Sequence, residues 1–200
     1  MSRPPDPTLE DRILTAASRL WKIGGEKALT LRAVAVAAGS NTPAVYRRFR
    51  DRDAILRALL QRTKLKLFKH LKAASTVEDA CERYVNFAVR NPHEYQLYYL
   101  HEHRLFASIK PPPRATLNQV LQENRPVVDF MKGKLAAQLG GDPDRHTHLV
   151  LSLWAMLHGT ATLLIGKTIL PQHAAEMREA CRTSVEILLR EDRRSPTKVT

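Results

Sequence analysis

Residues 30–56 read TLRAVAVAAGSNTPAVYRRFRDRDAIL, and this stretch decides the fold. Thr30 can cap a short helix holding Leu31, Val34 and Ala38. The alanines at 33, 35, 37 and 38 are small enough for a following helix to pack closely across them. Gly39 permits the sharp turn between the two. Asn41 is a good cap for the next helix, and Pro43 falls in its first turn, where a missing N–H costs nothing. That helix is expected to run to about Phe49, and Asp51 to cap a fourth helix from Arg52 to about Lys72, with Ile55, Leu59 and Leu67 facing inward. A chain needs this arrangement when one helix lies in a DNA major groove and another braces it.

The side chains suit such a groove. Thr30 can turn its hydroxyl to a phosphate, and Asn41 and Thr42 can bond base edges or phosphates. Pro43 and Ala44 offer apolar contact, for example to a thymine methyl. The Tyr46 hydroxyl suits a phosphate, Arg47 can read a guanine or bind phosphate, and Phe49 is expected to plug the small core. The charge is placed accordingly. Residues 1–75 hold sixteen Lys/Arg against six Asp/Glu, and residues 76–200 hold sixteen against fourteen, so the N-terminal part carries most of the net +12. A polyanionic partner explains that asymmetry; a solubilising surface or an attraction to anionic membranes is the blander account.

Apolar residues recur at three and four along the rest of the chain, and strand alternation is absent, so the expected fold is all-α with about nine helices. Thr8 can cap a first helix with Ile13, Leu14, Ala17 and Leu20 on one face, ended by Gly24-Gly25. A fifth helix is expected over Val77–Arg90, stopping at Asn91-Pro92, and a sixth from His93 to about Phe106. Residues 108–113 read as a stiff loop, followed by a seventh helix from Arg114 to Leu139 kinked at Pro126. An eighth helix to about Leu164 and a ninth from Gln172 to Arg190 complete the chain, with fraying from Asp192. The expected division is a helix-turn-helix domain over 1–50 and a helical domain over 51–200. No apolar run approaches the eighteen or so residues of a membrane span, and the start has no secretory signal. Cys81 and Cys181 form no CxxC pair, so the expectation is a cytoplasmic protein with two ordinary thiols.

Thr30, Ala38-Gly39, Tyr46 and Phe49, followed by the basic Arg52, make the pattern T-x(7)-A-G-x(6)-Y-x-x-F. It resembles the helix-turn-helix of TetR-type transcriptional regulators over roughly residues 8–60. The resemblance implies three N-terminal helices for DNA, a fourth as connector, and five more for ligand and dimer. It also implies that Thr30, Tyr46 and Arg52 hold phosphates, and that Ser40 to Ala44 and Arg47 face the bases. Ser40 stands where an aliphatic residue is usual, Asn41 where Ser or Thr is usual, and Arg52 where Lys is usual, which keeps the charge. The run Trp154-Ala-Met-Leu-His158-Gly159 is similar to the W-x-x-x-H-G signature of one group of TetR-type C-terminal domains, and FAVRNPHEYQLYY is similar to their turn between helices five and six.

Residues 149–165 are apolar or small nearly all round, so that helix must be buried on most sides. With helix nine it is expected to pair with the same two helices of a second subunit, through Leu153, Leu157, Ala161, Leu164, Cys181, Val185 and Leu188; a monomer's own core is the plainer reading. Tyr84, Tyr95, Tyr98, Tyr99, Phe106, Phe130, Trp154 and His158 are candidates to line an effector cavity or, equally, plain core. His101 and His103, like His146 and His148, are two apart and point away from each other, so neither pair chelates one ion. No catalytic residue, cofactor or metal site is expected. The reading is a dimeric DNA-binding regulator, a repressor of a near-palindromic operator released by a small-molecule effector, with Arg3 a candidate minor-groove contact. The alternatives are a non-specific or architectural DNA-binding protein, or a helical-bundle metal or ligand carrier.

Overall fold

The computed structural model describes residues 8–97 and 125–194, and among these every regular element is helical. They form two compact units, one of residues 8–65 with 93–97, the other of residues 66–92 with 125–194.

The first unit holds α1 (Leu9–Ala28), α2 (Leu31–Ala37), α3 (Thr42–Tyr46) and the first part of α4 (Arg52–Lys72). A further helix, α6, begins at residue 92 and is described to residue 97. The buried stripe of α1 runs through Leu9, Ile13, Ala17 and Trp21, while Leu14 and Leu20 are only partly covered. That moves the expected face by about one residue, because the Trp21 ring is drawn inward and its Nε1 donates to the His93 carbonyl (3.0 Å). Thr8 makes no side-chain cap. Helical residues continue to Ala28 past a break at Gly24-Gly25, where Gly25 has φ +58°. The core closes with Leu29, Val34, Ala35, Val45, Phe49, Ile55, Leu56, Leu59 and Leu60.

The second unit holds the remainder of α4, then α5 (Val77–Arg90), α7 (Arg125–Leu139), a short turn at Pro143–His146, α8 (Thr147–Ile165), and α9 (Ala174–Arg194). Thr76 caps α5 by accepting from the Asp79 N–H (3.1 Å), and the Asp79 carboxylate accepts in return from the Ser75 N–H (2.9 Å). α8 packs against both α5 and α9. Pro126 stands in the first described turn of α7. The expected segments 98–106, 108–113 and 114–124 lie outside the described residues, as do Arg3, His101 and His103.

Two expectations change here. α9 does not fray at Asp192 but continues to Arg194. Asp192 Oδ2 lies 3.2 Å from Nδ1 of the fully buried His146 and 3.9 Å from Arg145, with hydrogen-bond geometry to neither. His148 is exposed, so the two histidines do point apart. In addition, Pro143–Ile165 meets the length and hydropathy of a membrane span (mean hydropathy 1.5), although no such run was expected. In this fold the apolar residues serve a protein core, with Leu149, Val150, Leu153, Leu157 and Ala161 buried.

Candidate nucleic-acid interface

The caps and the turn of residues 30–56 are formed within the segment. The Thr30 hydroxyl accepts from the Ala33 N–H (3.1 Å) and starts α2. Gly39 turns the chain at φ +62°, and the Ser40 N–H donates to the Ala35 carbonyl (2.9 Å). A Cβ at Gly39 would meet no atom within 4 Å, so glycine is needed for its backbone conformation and not for space. Asn41 Oδ1 accepts from the Ala44 N–H (2.9 Å) and starts α3. That helix ends at Tyr46, short of the expected Phe49, but the Phe49 N–H still donates to the Val45 carbonyl (2.9 Å).

α3 therefore has two faces. Val45 and Phe49 are buried in the core of the first unit. Asn41, Pro43, Arg47 and Arg48 are exposed, and the Tyr46 ring keeps 55% of its surface. Ser40 and Thr42 are half-buried. Ala44, expected to touch a thymine methyl, is instead 7% exposed and belongs to the core. Position 44 lies on α3's inward side, one residue before Val45, and Pro43 is the exposed apolar residue of that turn. The Asn41 oxygen is committed to its cap, so its amide N–H groups are what it can offer a base or phosphate.

Arg52 keeps 43% of its side-chain surface and is already paired. It pairs with Glu26 on α1 (2.8 Å) and lies 3.9 Å from Asp53. An exposed pair of this kind is worth about 0–1 kcal/mol, so a phosphate can displace it. Arg32, on the exposed side of α2 beside Thr30, was not singled out from the sequence. Its signal was its place two residues before the buried Val34.

Asp51 Oδ1 accepts from the Ala54 N–H (2.7 Å) and caps α4. That backbone hydrogen bond holds the Asp51 carboxyl below its usual range; burial opposes it and Arg50 assists. The native value is depressed, so the cap stabilises the fold above the ordinary carboxylate range and is lost as acid takes pH through the native value. Asp51→Ala is expected to lower stability at pH 7 by about 0.5–2 kcal/mol. Asp51→Asn should keep much of the cap yet show a shallower loss of urea resistance between pH 7 and pH 3. Equal acid losses in Asp51→Asn and the parent chain would remove Asp51 as a source of the pH dependence.

The aromatic candidates do not form one set. Tyr95 is buried in the first unit and Tyr84 in the second. Phe130 meets Phe68 edge-on at 5.9 Å, and Trp154 and His158 are half-buried on α8. Burial pushes the His158 imidazole down, which keeps it neutral near pH 7. Tyr98, Tyr99 and Phe106 lie outside the described residues. A cavity of about 460 Å³ between α5, α8 and α9 is lined by none of these aromatics. Of the expected dimer contacts, Leu153, Leu157, Ala161, Cys181 and Val185 are already buried by their own chain, and Leu164 and Leu188 are half-exposed.

A capped helix with a basic, exposed face, braced across a glycine turn in a small helical core, defines a helix-turn-helix DNA-binding protein. The sequence comparisons carry this to a family. Residues 13–59 match the bacterial regulatory proteins of the tetR family, and residues 77–188 match the tetracyclin repressor-like C-terminal domain. The chain belongs to the TetR family and is a DNA-binding transcriptional regulator. No curated protein is a significant match in sequence. Among solved structures it is similar to a protein of unknown function from Rhodococcus sp. RHA1, with 25% identity, TM-score 0.69, and coverage of 93% of this chain and 95% of that one. A TetR-like transcriptional regulator from the same source shares 17% identity over 90% of this chain and 97% of its own, with TM-score 0.60. A TetR variant from Acinetobacter baumannii AYE in complex with minocycline shares 14% identity over 93% and 97%, with TM-score 0.62.

Proposed function

We propose that two copies of this chain bind a near-palindromic operator in the cytoplasm as a repressor, and that a small-molecule effector releases them. The observation that carries the DNA part is the two-faced α3, with Val45 and Phe49 locked in the core while Asn41, Pro43, Tyr46 and Arg47 project outward. Thr30, Ser40, Thr42 and Arg52 flank that face, and Arg32, Arg48 and Arg50 add sequence-independent attraction to phosphates.

The dimer reading rests on what α8 and α9 leave uncovered. Ser152, Ala155, Gly159 and Thr162 are exposed along one side of α8, and Ala180, Thr183 and Ile187 along α9, Ile187 at 52%. A helix this apolar with a small-residue side open in the single chain is suited to close approach by a second copy. The contacts thus shift from the buried residues first expected to their neighbours on the opposite faces. A symmetric four-helix pairing would set two α3 helices to read half-sites about one turn of DNA apart.

The effector part is supported by the similar fold solved with minocycline and by the half-buried Trp154 and His158. α4 belongs to both units, residues 52–65 to the first and 66–72 to the second. An effector held by the second unit would act on the reading helices through α4, favouring a spacing that does not fit the operator.

Footprinting on DNA upstream of the protein's own gene, over a salt series with competitor DNA, tests the reading. A discrete footprint with twofold symmetry supports it. Weak binding equal on every sequence would favour the non-specific alternative, and no binding at low salt would overturn the proposal.

A further inference from the structure

The cations around α3 differ in how they are held. Arg47 makes no ion pair among the described residues, and the widely exposed Arg50 lies 3.3 Å from Asp51, its neighbour in the chain. Arg52 is bound from further away. Its Nη2 lies 2.8 Å from Oε1 of Glu26 on α1, whose side chain keeps only 28% of its surface. Asp53 is the other carboxylate near Arg52, but its Oδ1 stands 3.9 Å from Nε and takes no hydrogen bond. Glu26 is therefore the anion that holds Arg52.

Both partners are set by backbone. Glu26 follows the break in α1, where Gly25 takes φ +58° and a Cβ at Gly24 would come within 2.8 Å of the Ala28 Cβ. The Glu26 carbonyl then accepts from the N–H of the fully buried Leu29 (3.2 Å). Arg52 opens α4 directly after Asp51, which caps that helix, and the buried Ile55 and Leu56 anchor it in the core. The carboxylate and the guanidinium thus face each other across two anchored stretches of backbone, in the chain by itself.

A phosphate that takes Arg52 exchanges one anion for another. The pair with Glu26 must first be broken, and the freed carboxylate is then left beside the phosphate, an unfavourable neighbour on any DNA sequence. An arginine held by no carboxylate would neutralise a phosphate and release its counterion without that cost.

We propose that Glu26 is a built-in competitor of the DNA phosphate: it occupies Arg52 in the free protein and lowers the affinity for all DNA alike. Glu26 is a positioning residue, acting through Arg52 and not on the DNA itself. In a chain of net charge +12 this restrains sequence-independent binding, so that a larger share of the affinity comes from contacts with base edges. The inference rests on the reading of α3 and Arg52 as a DNA interface.

Fluorescence anisotropy over a salt series, on the footprinted duplex and on one of unrelated sequence, compares the full chain with Glu26→Gln, Arg52→Gln and the double variant. Glu26→Gln is expected to tighten binding to both duplexes by the same factor, about 2- to 5-fold per bound chain. The slope of log affinity against log salt should steepen by up to about 0.9 per bound chain, a change that a merely structural role would not produce. In the Arg52→Gln background the same substitution should gain less, because no guanidinium remains to be released. Melting temperatures check folding, and Glu26→Ala repeats the comparison if the glutamine variant loses its fold. Unchanged or weaker binding by Glu26→Gln would overturn the inference, as would an equal gain in both backgrounds, the mark of a general charge effect. If the parent chain binds DNA and Arg47→Ala weakens it while Glu26→Gln changes nothing, this inference alone falls. If the parent binds neither duplex at low salt, the DNA reading falls with it.

Discussion

Arg47→Ala is expected to abolish most operator affinity while leaving the fold intact. The side chain is exposed on α3 and makes no ion pair among the described residues, so its removal takes nothing from the core. Loss of an arginine that reads a guanine or holds a phosphate costs about 1–3 kcal/mol per contact. In a dimer the loss occurs at both half-sites, giving about 2–6 kcal/mol, or a roughly 30-fold to more than 10,000-fold fall in affinity. Tyr46→Phe separates the hydroxyl from the ring. If the hydroxyl holds a phosphate, affinity should fall by a similar factor on operator and non-operator DNA alike, and the salt dependence should flatten. Fluorescence anisotropy on both DNAs, with thermal melts alongside, measures all of this. Unchanged affinity in both variants would remove α3 from the interface. Phe49→Ala, by contrast, should destabilise the protein by about 3–5 kcal/mol, because that ring fills the core of the first unit.

Gly159→Arg is expected to turn the dimer into a monomer and to weaken operator binding by roughly 100-fold or more, since two linked readers gain that much over one. Gly159 is exposed in the single chain and a Cβ there meets no atom within 4 Å, so the substitution starts from open space. The variant thus separates assembly from folding. Sedimentation velocity reads the first and melting temperature the second. A Gly159→Arg protein that still sediments as a dimer would place the interface on another surface. Cys181→Ala or Val185→Ala, buried by their own chain, should act on stability and not on assembly.

The reading segment was legible because its structure is local. Thr30, Asn41 and Asp51 each accept a backbone N–H three residues on, and Gly39 turns the chain with a bond that closes within five residues. Such interactions depend on residue type and spacing alone. The burial of Ala44 was not legible, for a related reason. A methyl group in the first turn of a helix suits either a groove or a core, and only the position of α1 and α4 residues settles which. Arg52 is similar: its charge is visible in the sequence, but Glu26 is brought to it by the break at Gly24-Gly25 and the return of the chain.

α8 shows the limit most plainly. Its residues are apolar or small all round, so periodicity carried no direction, and Leu153, Leu157 and Ala161 were as good a contact surface as Ala155 and Gly159. α5 and α9 cover the first group and leave the second open. The approach of the buried His146 to Asp192, and the two cysteines that line one cavity, likewise required long-range packing. By itself the sequence determined the helical class, the caps that start α2, α3 and α4, and the family, because propensity, capping and charge act over a few residues. Tertiary structure alone decided which faces are spent on the chain's own core and which remain for DNA, a second copy or a ligand, because burial depends on helices that are neighbours in space and far apart in sequence.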